Sequence, residues 1–330
     1  VPSGFLAPCS SNLATPTIKK STDHFNTVIY TGSDDGAVSQ SVTGVGHQPD
    51  LVWIKKRSGT AHHVLTDSVR GATKALNANQ HVAEVDDTYG VTAFGSDGFT
   101  VREQASAGGQ VNTGTLVSWN WKANGSGSAN TDGATNSVVS ANTTSGFSIV
   151  TYSGTGSATT IGHGLGTVPA WIVVKNRTNN AGNTDAWANY HHANTAAPAT
   201  DALYWDTTYA TSDDAGTWND TAPTSSVFTV NNWGGVNASG DTYVAYVFAE
   251  VDGFSSFGSY IGDGTSDNGP FIHTGFTPAL VIVKKSSAAG SSWFMWDSKR
   301  HPENVIDLAV WVDASNGDTS HAEYEIDFLS

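Results

Sequence analysis

One cysteine, one methionine and ten prolines stand in 330 residues, and charged side chains make up only 14% of the chain. A single Cys9 allows no intrachain disulfide, so the fold rests on packing, and Cys9 is either an idle thiol or an interchain bridge. Lys and Arg together number 15 against 30 Asp and Glu, a net charge of −15. That balance excludes nucleic acid and anionic membrane surfaces as partners, because phosphate binding needs clustered cations. No run of 18 apolar residues occurs, which excludes a membrane-spanning helix, and Val1-Pro2-Ser3-Gly4-Phe5 is neither an initiator nor a signal peptide. The strong helix formers Leu, Glu, Lys and Arg are scarce, so long helices have little to build on. Gly-x-Ser-x-Gly, Walker and dinucleotide fingerprints are absent, which leaves no sequence signal for an enzyme.

In their place stand 35 glycines, abundant Ser, Thr and Asn, and 11 Trp, 13 Phe and 10 Tyr. One phrase is written three times: a Gly, two residues, a Pro, then an apolar run closed by Lys. It occupies Gly46–Lys55 with Pro49, Gly166–Lys175 with Pro169, and Gly275–Lys284 with Pro278. Spacing of this size points to duplicated domains, since solenoid and propeller repeats recur every 20–50 residues or so. Runs such as Leu51-Val52-Trp53-Ile54 suit strands covered on both faces, with the Pro at the strand start where its missing N–H costs no ladder bond.

Each copy opens on an aromatic-led strand ending in Tyr-x-Gly: Phe25–Gly32, Phe147–Gly154 and Phe257–Gly262. A late strand closes the first two copies, Gly114–Trp121 and Gly240–Phe248, the former with clear period-2 alternation. The pattern predicts an all-β chain of three tandem antiparallel β-sandwich modules, jelly-roll or lectin-like. The expected boundaries are an N-terminal extension over 1–24, module one over 25–123, a flexible Gly/Ser/Asn-rich linker over 124–145, module two over 146–252 and module three over 253–330. Modules two and three join without a linker. Module three lacks a counterpart of the closing hairpin and strand and so is incomplete. A truncated chain, strands donated by another subunit and a smaller variant of the module all stay open.

The stretch Phe5–Lys19, with Cys9, Asn12-Leu13 and Pro16, followed by His24–Gly32, resembles tail-fibre and other virion proteins of tailed, especially marine, bacteriophages. The repeated Pro phrase is similar to their modules as well. The resemblance implies a non-enzymatic virion structural protein, in a tail fibre or host-facing appendage, extracellular on the particle, trimeric, and bound to other virion proteins. It supplies no catalytic residues. Alternatives are a carbohydrate-binding module for host polysaccharide and a capsid decoration protein.

Among individual residues, Trp205, Tyr209, Trp218 and Trp233 lie beside Asp, Asn and Thr, the mixture a sugar site needs. Asp263 and Asp267 sit on a Gly-containing loop that would suit Ca²⁺, and turn chemistry explains them equally well. No other cofactor is expected. His62-His63 and His191-His192 read as polar loop residues. Asp67 and Asp297 occupy matching positions, each expected to pair with Arg70 or Arg300. Lys55, Lys175 and Lys284 are expected to pack their stems and send the ammonium to solvent.

Overall fold

The computed structural model describes residues 16–33, 38–102, 110–178, 185–265, 269–320 and 324–329. Among them the regular structure is almost wholly antiparallel β. The first segment carries β1 (Phe25–Thr31), β2 (Gln40–Thr43), β3 (Leu51–Lys56), β4 (Val64–Asp67), β5 (Lys74–Asn77), β6 (Val85–Asp86), β7 (Val91–Gly95), β8 (Gly98–Val101) and β9 (Thr115–Trp121). The second carries β10 (Ser128–Asn130), β11 (Ser137–Asn142), β12 (Phe147–Ser153), β13 (Thr159–Gly162), β14 (Trp171–Asn176), β15 (Ala188–His191), β16 (Asp201–Tyr204) and β17 (Ser212–Asp213). A one-turn helix α1 (Ala215–Trp218), β18 (Val227–Val230), a second turn α2 (Gly234–Asn237) and β19 (Thr242–Phe248) complete it. The third carries β20 (Leu280–Lys284), β21 (Trp293–Asp297), β22 (Leu308–Trp311) and β23 (Thr319–Ser320).

Three large sheets result. Their orders are β1-β9-β3-β4-β5-β6, β10-β11-β12-β19-β14-β15-β16-β17 and β20-β21-β22-β23. Small sheets β2-β8-β7 and β13-β18 face the first two. Registers correspond among the three: Leu51 pairs with Asp67, Trp171 with His191, and Leu280 with Asp297. On the far side of the Pro-led strand Trp53 pairs with Trp119 and Val173 with Tyr246.

The first two Pro-led strands, β3 and β14, are buried on both faces, as their continuous apolar runs predict, whereas β20 is only half-buried along its length. Val52 and Ile54 point into one core cluster with Phe99 and Val101, and Ile172 and Val174 into a second with Phe228 and Tyr243. The opposite faces meet in a single cluster shared by all three sheets. Trp53 and Trp119 from the first, Trp171, Trp187, Trp205 and Tyr246 from the second, and Trp293 and Met295 from the third belong to it. Trp53 meets Trp205 edge to face at 4.9 Å, and Trp171 meets Trp205 at 5.4 Å. Such ring pairs contribute beyond their buried area.

The segment 124–145 is not a flexible linker. It forms β10 and β11, with Ser128 opposite Val139, and extends the second large sheet. Gly127, at φ +79°, lies so close to the backbone of Val139 that a Cβ would stand 3.0 Å away. Its composition therefore reflects a tight strand entrance rather than freedom. Ser68 Oγ donates to Gly125 O at 2.7 Å, tying the segment to the first sheet. Between the second and third segments, Ala249 N donates to Gly146 O and Val251 bridges Ser255. Among the described residues no helix is long and apolar enough to cross a membrane.

Candidate functional site

The three large sheets meet through contacts that repeat. Trp187 Nε1 donates to Asn77 O at 3.1 Å, Trp293 Nε1 to Tyr204 O at 2.9 Å, and His63 Nε2 lies 3.0 Å from Trp311 O. Asn77, Tyr204 and Trp311 are the last residues of β5, β16 and β22. The second segment thus reaches the first, the third reaches the second, and the first reaches the third, which closes a ring. Backbone bonds follow the same circuit: Glu84 N to Arg177 O, Thr211 N to Ser286 O, and Asp318 N to Arg57 O.

His63 is neutral here. Burial holds it well below the usual imidazole range, and Trp53 Nε1 donates to its Nδ1 at 2.9 Å, which leaves the proton on Nε2 for Trp311 O. His63 is therefore a junction residue, not a polar loop residue. His62 contacts Asn79 and His192 the carbonyl of Phe257, and no group of three His, Cys, Asp or Glu among the described residues could hold a metal.

Two of the three junctions carry a buried ionic knot. Arg70 binds Asp67, Glu84 Oε2 at 2.9 Å and Tyr246 Oη at 3.1 Å, while Arg177 takes both oxygens of Glu84 at 2.9 Å. Arg300 repeats this with Asp297 and with Asp318 at 3.0 Å, and Arg57 reaches Asp318 at 2.6 Å. Burial pushes the Glu84 carboxyl up, but its two arginines outweigh that and hold it below its ordinary value. At the third junction the charges are replaced together. Thr211 stands where the acid would be, and its Oγ1 donates to Asn194 Oδ1 at 2.8 Å. The expected pairing of Asp67 and Asp297 with neighbouring arginines is what the structure holds.

The repeated lysines depart from expectation. Lys55 and Lys175 are wholly buried, ammonium included. Lys55 Nζ donates to Lys56 O at 3.0 Å and to Ser315 O at 3.2 Å, so the third segment closes its way to solvent. Lys175 Nζ donates to Asp185 O at 3.0 Å. Burial pulls both down to about 8. Lys284 is only partly buried and donates to Ser291 O. Of the scaffold residues, Gly46, Gly166 and Gly275 all have positive φ, as the turn before Pro49, Pro169 and Pro278 requires.

The proposed sugar-binding aromatics do not form a surface. Trp205 is 2% exposed, in the shared core, and Trp218 is 1% exposed, in the second sheet's own core. A ring with no free face cannot stack on a sugar, so this assignment falls for both. Trp233 is half-buried, with its ring edge to face on Tyr204 at 5.5 Å. Tyr209 alone stands out, 62% exposed. Asp263 Oδ1 accepts from Thr265 N at 3.0 Å and from its hydroxyl at 2.8 Å, an ordinary turn. Asp267 lies outside the described residues, as do Cys9 and Asp34-Asp35. Asp214 caps α1, accepting from Gly216 N at 2.9 Å.

A groove of about 310 Å³ lies where the ring's three segments converge. Phe25 and Trp121 from the first, Trp171 and Phe248 from the second, and Leu280 and Ile282 from the third wall it. No sequence pattern marked it, because each wall residue reads locally as sandwich core.

One family model, a domain of unknown function (DUF7483), matches residues 20–330. The chain belongs to the DUF7483 family. The match runs through all three sheets, so the DUF7483 unit is the whole ring and not one of its segments. No curated protein and no solved structure matches this DUF7483 chain.

Proposed function

We propose that this DUF7483 protein is a non-enzymatic structural component of a bacteriophage virion, carried outside the cell on a tail fibre or comparable appendage that it extends toward the host. The observation that carries the reading is the closed ring: three similar sheets around one tryptophan core, with each junction made by residues at matching positions. Such a ring has approximate threefold form and suits the axis of a threefold fibre, where other virion proteins, or further copies in a trimer, would adjoin it. The residues that resemble phage fibre modules support the same placement, and the small share of charged residues gives a polar, net acidic outer face. Tyr209 is the one of the four candidate aromatics that a host glycan could reach. Mass spectrometry of purified particles should detect the chain, and a cryo-electron map should place its ring on the tail. Absence from washed virions overturns the proposal, and density on the capsid shell replaces it with a decoration role.

A further inference from the structure

Each junction of the ring closes on one side-chain N–H, and only one of the three donors can change its charge. Trp187 Nε1 donates to Asn77 O and Trp293 Nε1 to Tyr204 O. An indole is a donor only. His63 holds the same position in the first segment, since Val64 lies opposite Ile54 as Ala188 lies opposite Val174 and Phe294 opposite Val283. The three share a backbone contact as well. His63 N donates to Asn79 Oδ1 at 3.0 Å, Trp187 N to Asp206 Oδ1 at 3.1 Å and Trp293 N to Asp313 Oδ1 at 2.8 Å. A histidine, the side chain that changes charge nearest neutral pH, thus stands where its two sisters have tryptophan.

The imidazole is buried and used on both sides. Trp53 Nε1 donates to Nδ1 at 2.9 Å, and Nε2–H reaches Trp311 O across the junction at 3.0 Å. A proton added at Nδ1 removes that acceptor, so two buried N–H groups face each other, which is costly. The surroundings supply no free counter-charge. The titratable groups that face His63 are Lys55 on β3, Arg300 after β21 and the adjacent His62. Lys55 and Arg300 are themselves buried cations. β22, which brings Trp311, carries no titratable side chain. The acids of this junction are engaged already: Asp297 by Arg300 and Trp119, and Asp318 by Arg300 and Arg57. Burial first, and Lys55 after it, keep the ring neutral well below the usual imidazole range.

We propose that the contact between the first and third segments is an acid-released latch: protonation of His63 parts it from Trp53 and Trp311, while the two tryptophan junctions stay shut. The ring then opens at one place. Once the junction is open, water reaches the imidazole and its value returns to the ordinary 6.5. The open form therefore binds more protons than the closed form below that pH. Its population rises by up to about tenfold for each pH unit below 6.5, until the closed form is protonated too. Above that window the latch is fully closed. The device stands independently of any place in a virion.

The test is amide exchange of the full chain at pH 7.5 and pH 5.0, corrected for the intrinsic pH dependence of exchange. Four backbone amides report on the junctions. Ala61 N bonds Ser315 O and Asp318 N bonds Arg57 O between the first and third segments. Glu84 N bonds Arg177 O, and Thr211 N bonds Ser286 O, at the other two. Acidification should lower protection at Ala61 and Asp318 by about tenfold or more, with Glu84 and Thr211 changed far less. In His63→Gln the amide can accept from Trp53 and donate to Trp311 O without titrating, so protection at Ala61 and Asp318 should be the same at both pH values. The comparison of junctions in the unmodified chain stands even where that variant fails to fold. Equal loss at all four amides overturns the proposal in favour of general acid unfolding. Unchanged protection at Ala61 and Asp318 also overturns it, as does a His63→Gln protein that keeps the full pH response.

Discussion

Lys175, the last residue but one of β14, has no exposed surface, and its ammonium donates to a single carbonyl. Its partners are too few to offset lost hydration, so burial lowers it to about 8. The unfolded chain binds more protons between that value and the free-lysine value, so the contribution to stability rises with pH through that window and is at its worst below it. A shift of this size corresponds to about 3 kcal/mol. Lys175→Met should therefore compare most favourably with the native protein near pH 7 and lose up to about 3 kcal/mol of that comparison by pH 10.5. Urea unfolding of both proteins at pH 7, 9 and 10.5 measures this. A stability difference that does not move with pH would show that the ammonium is hydrated after all. The sequence announced the strand, which runs one residue past this lysine to Asn176. The fate of the charge depended on what lay beyond the strand, which is Asp185 here and Ser315 from another segment for Lys55.

At the scale of elements, the strands were readable because their patterns are local. Pro49, Pro169 and Pro278 mark strand starts, and doubly buried strands carry unbroken apolar runs. Segment 124–145 misled because Gly, Ser and Asn serve both flexible joints and tight strand entrances, and only the approach of Val139 to Gly127 tells them apart. Trp205 and Trp218 misled in the same way, since polar neighbours in sequence say nothing about which side of a sheet a ring takes. Close approach makes a further prediction at Gly317, next to the rung from Asp318 N to Arg57 O. A Cβ there would stand 2.3 Å from Arg57 O. The matching positions Ala83 and Ala210 already carry a Cβ, so this junction is the tightest of the three. Gly317→Ala should cost about 1–3 kcal/mol, as overpacking does. Faster amide exchange at Asp318, with exchange at Glu84 changed far less, would separate a local wedge from general loosening. Unchanged exchange at Asp318 would refute it.

For the molecule as a whole, the question is whether three sandwiches stand in a row or one ring stands alone. Separate modules of roughly 110 residues could each hold a core, and the sequence favours that view because repetition is visible while contacts between repeats are not. The shared cluster argues otherwise. Trp293 of the third sheet packs among Trp205 and other rings of the second, and donates its N–H to Tyr204 O. Every large sheet buries one face there, so none can leave without exposing the others. Thermal unfolding should then be a single calorimetric transition, with equal calorimetric and van't Hoff enthalpies. Trp293→Ala, a cavity of several rings' contact, should cost roughly 3–5 kcal/mol. It should lower exchange protection in β19 as much as in β21, although β19 lies in a different sheet. Independent modules make the opposite prediction: separate transitions, and a loss of protection confined to β20 through β23. The ring with its open β20 edge also explains why the third sheet is the place to look first. Its Pro-led strand β20 is held by the shared core and by one neighbour, β21, where β3 and β14 each have two, so protection there should be the lowest of the three sheets.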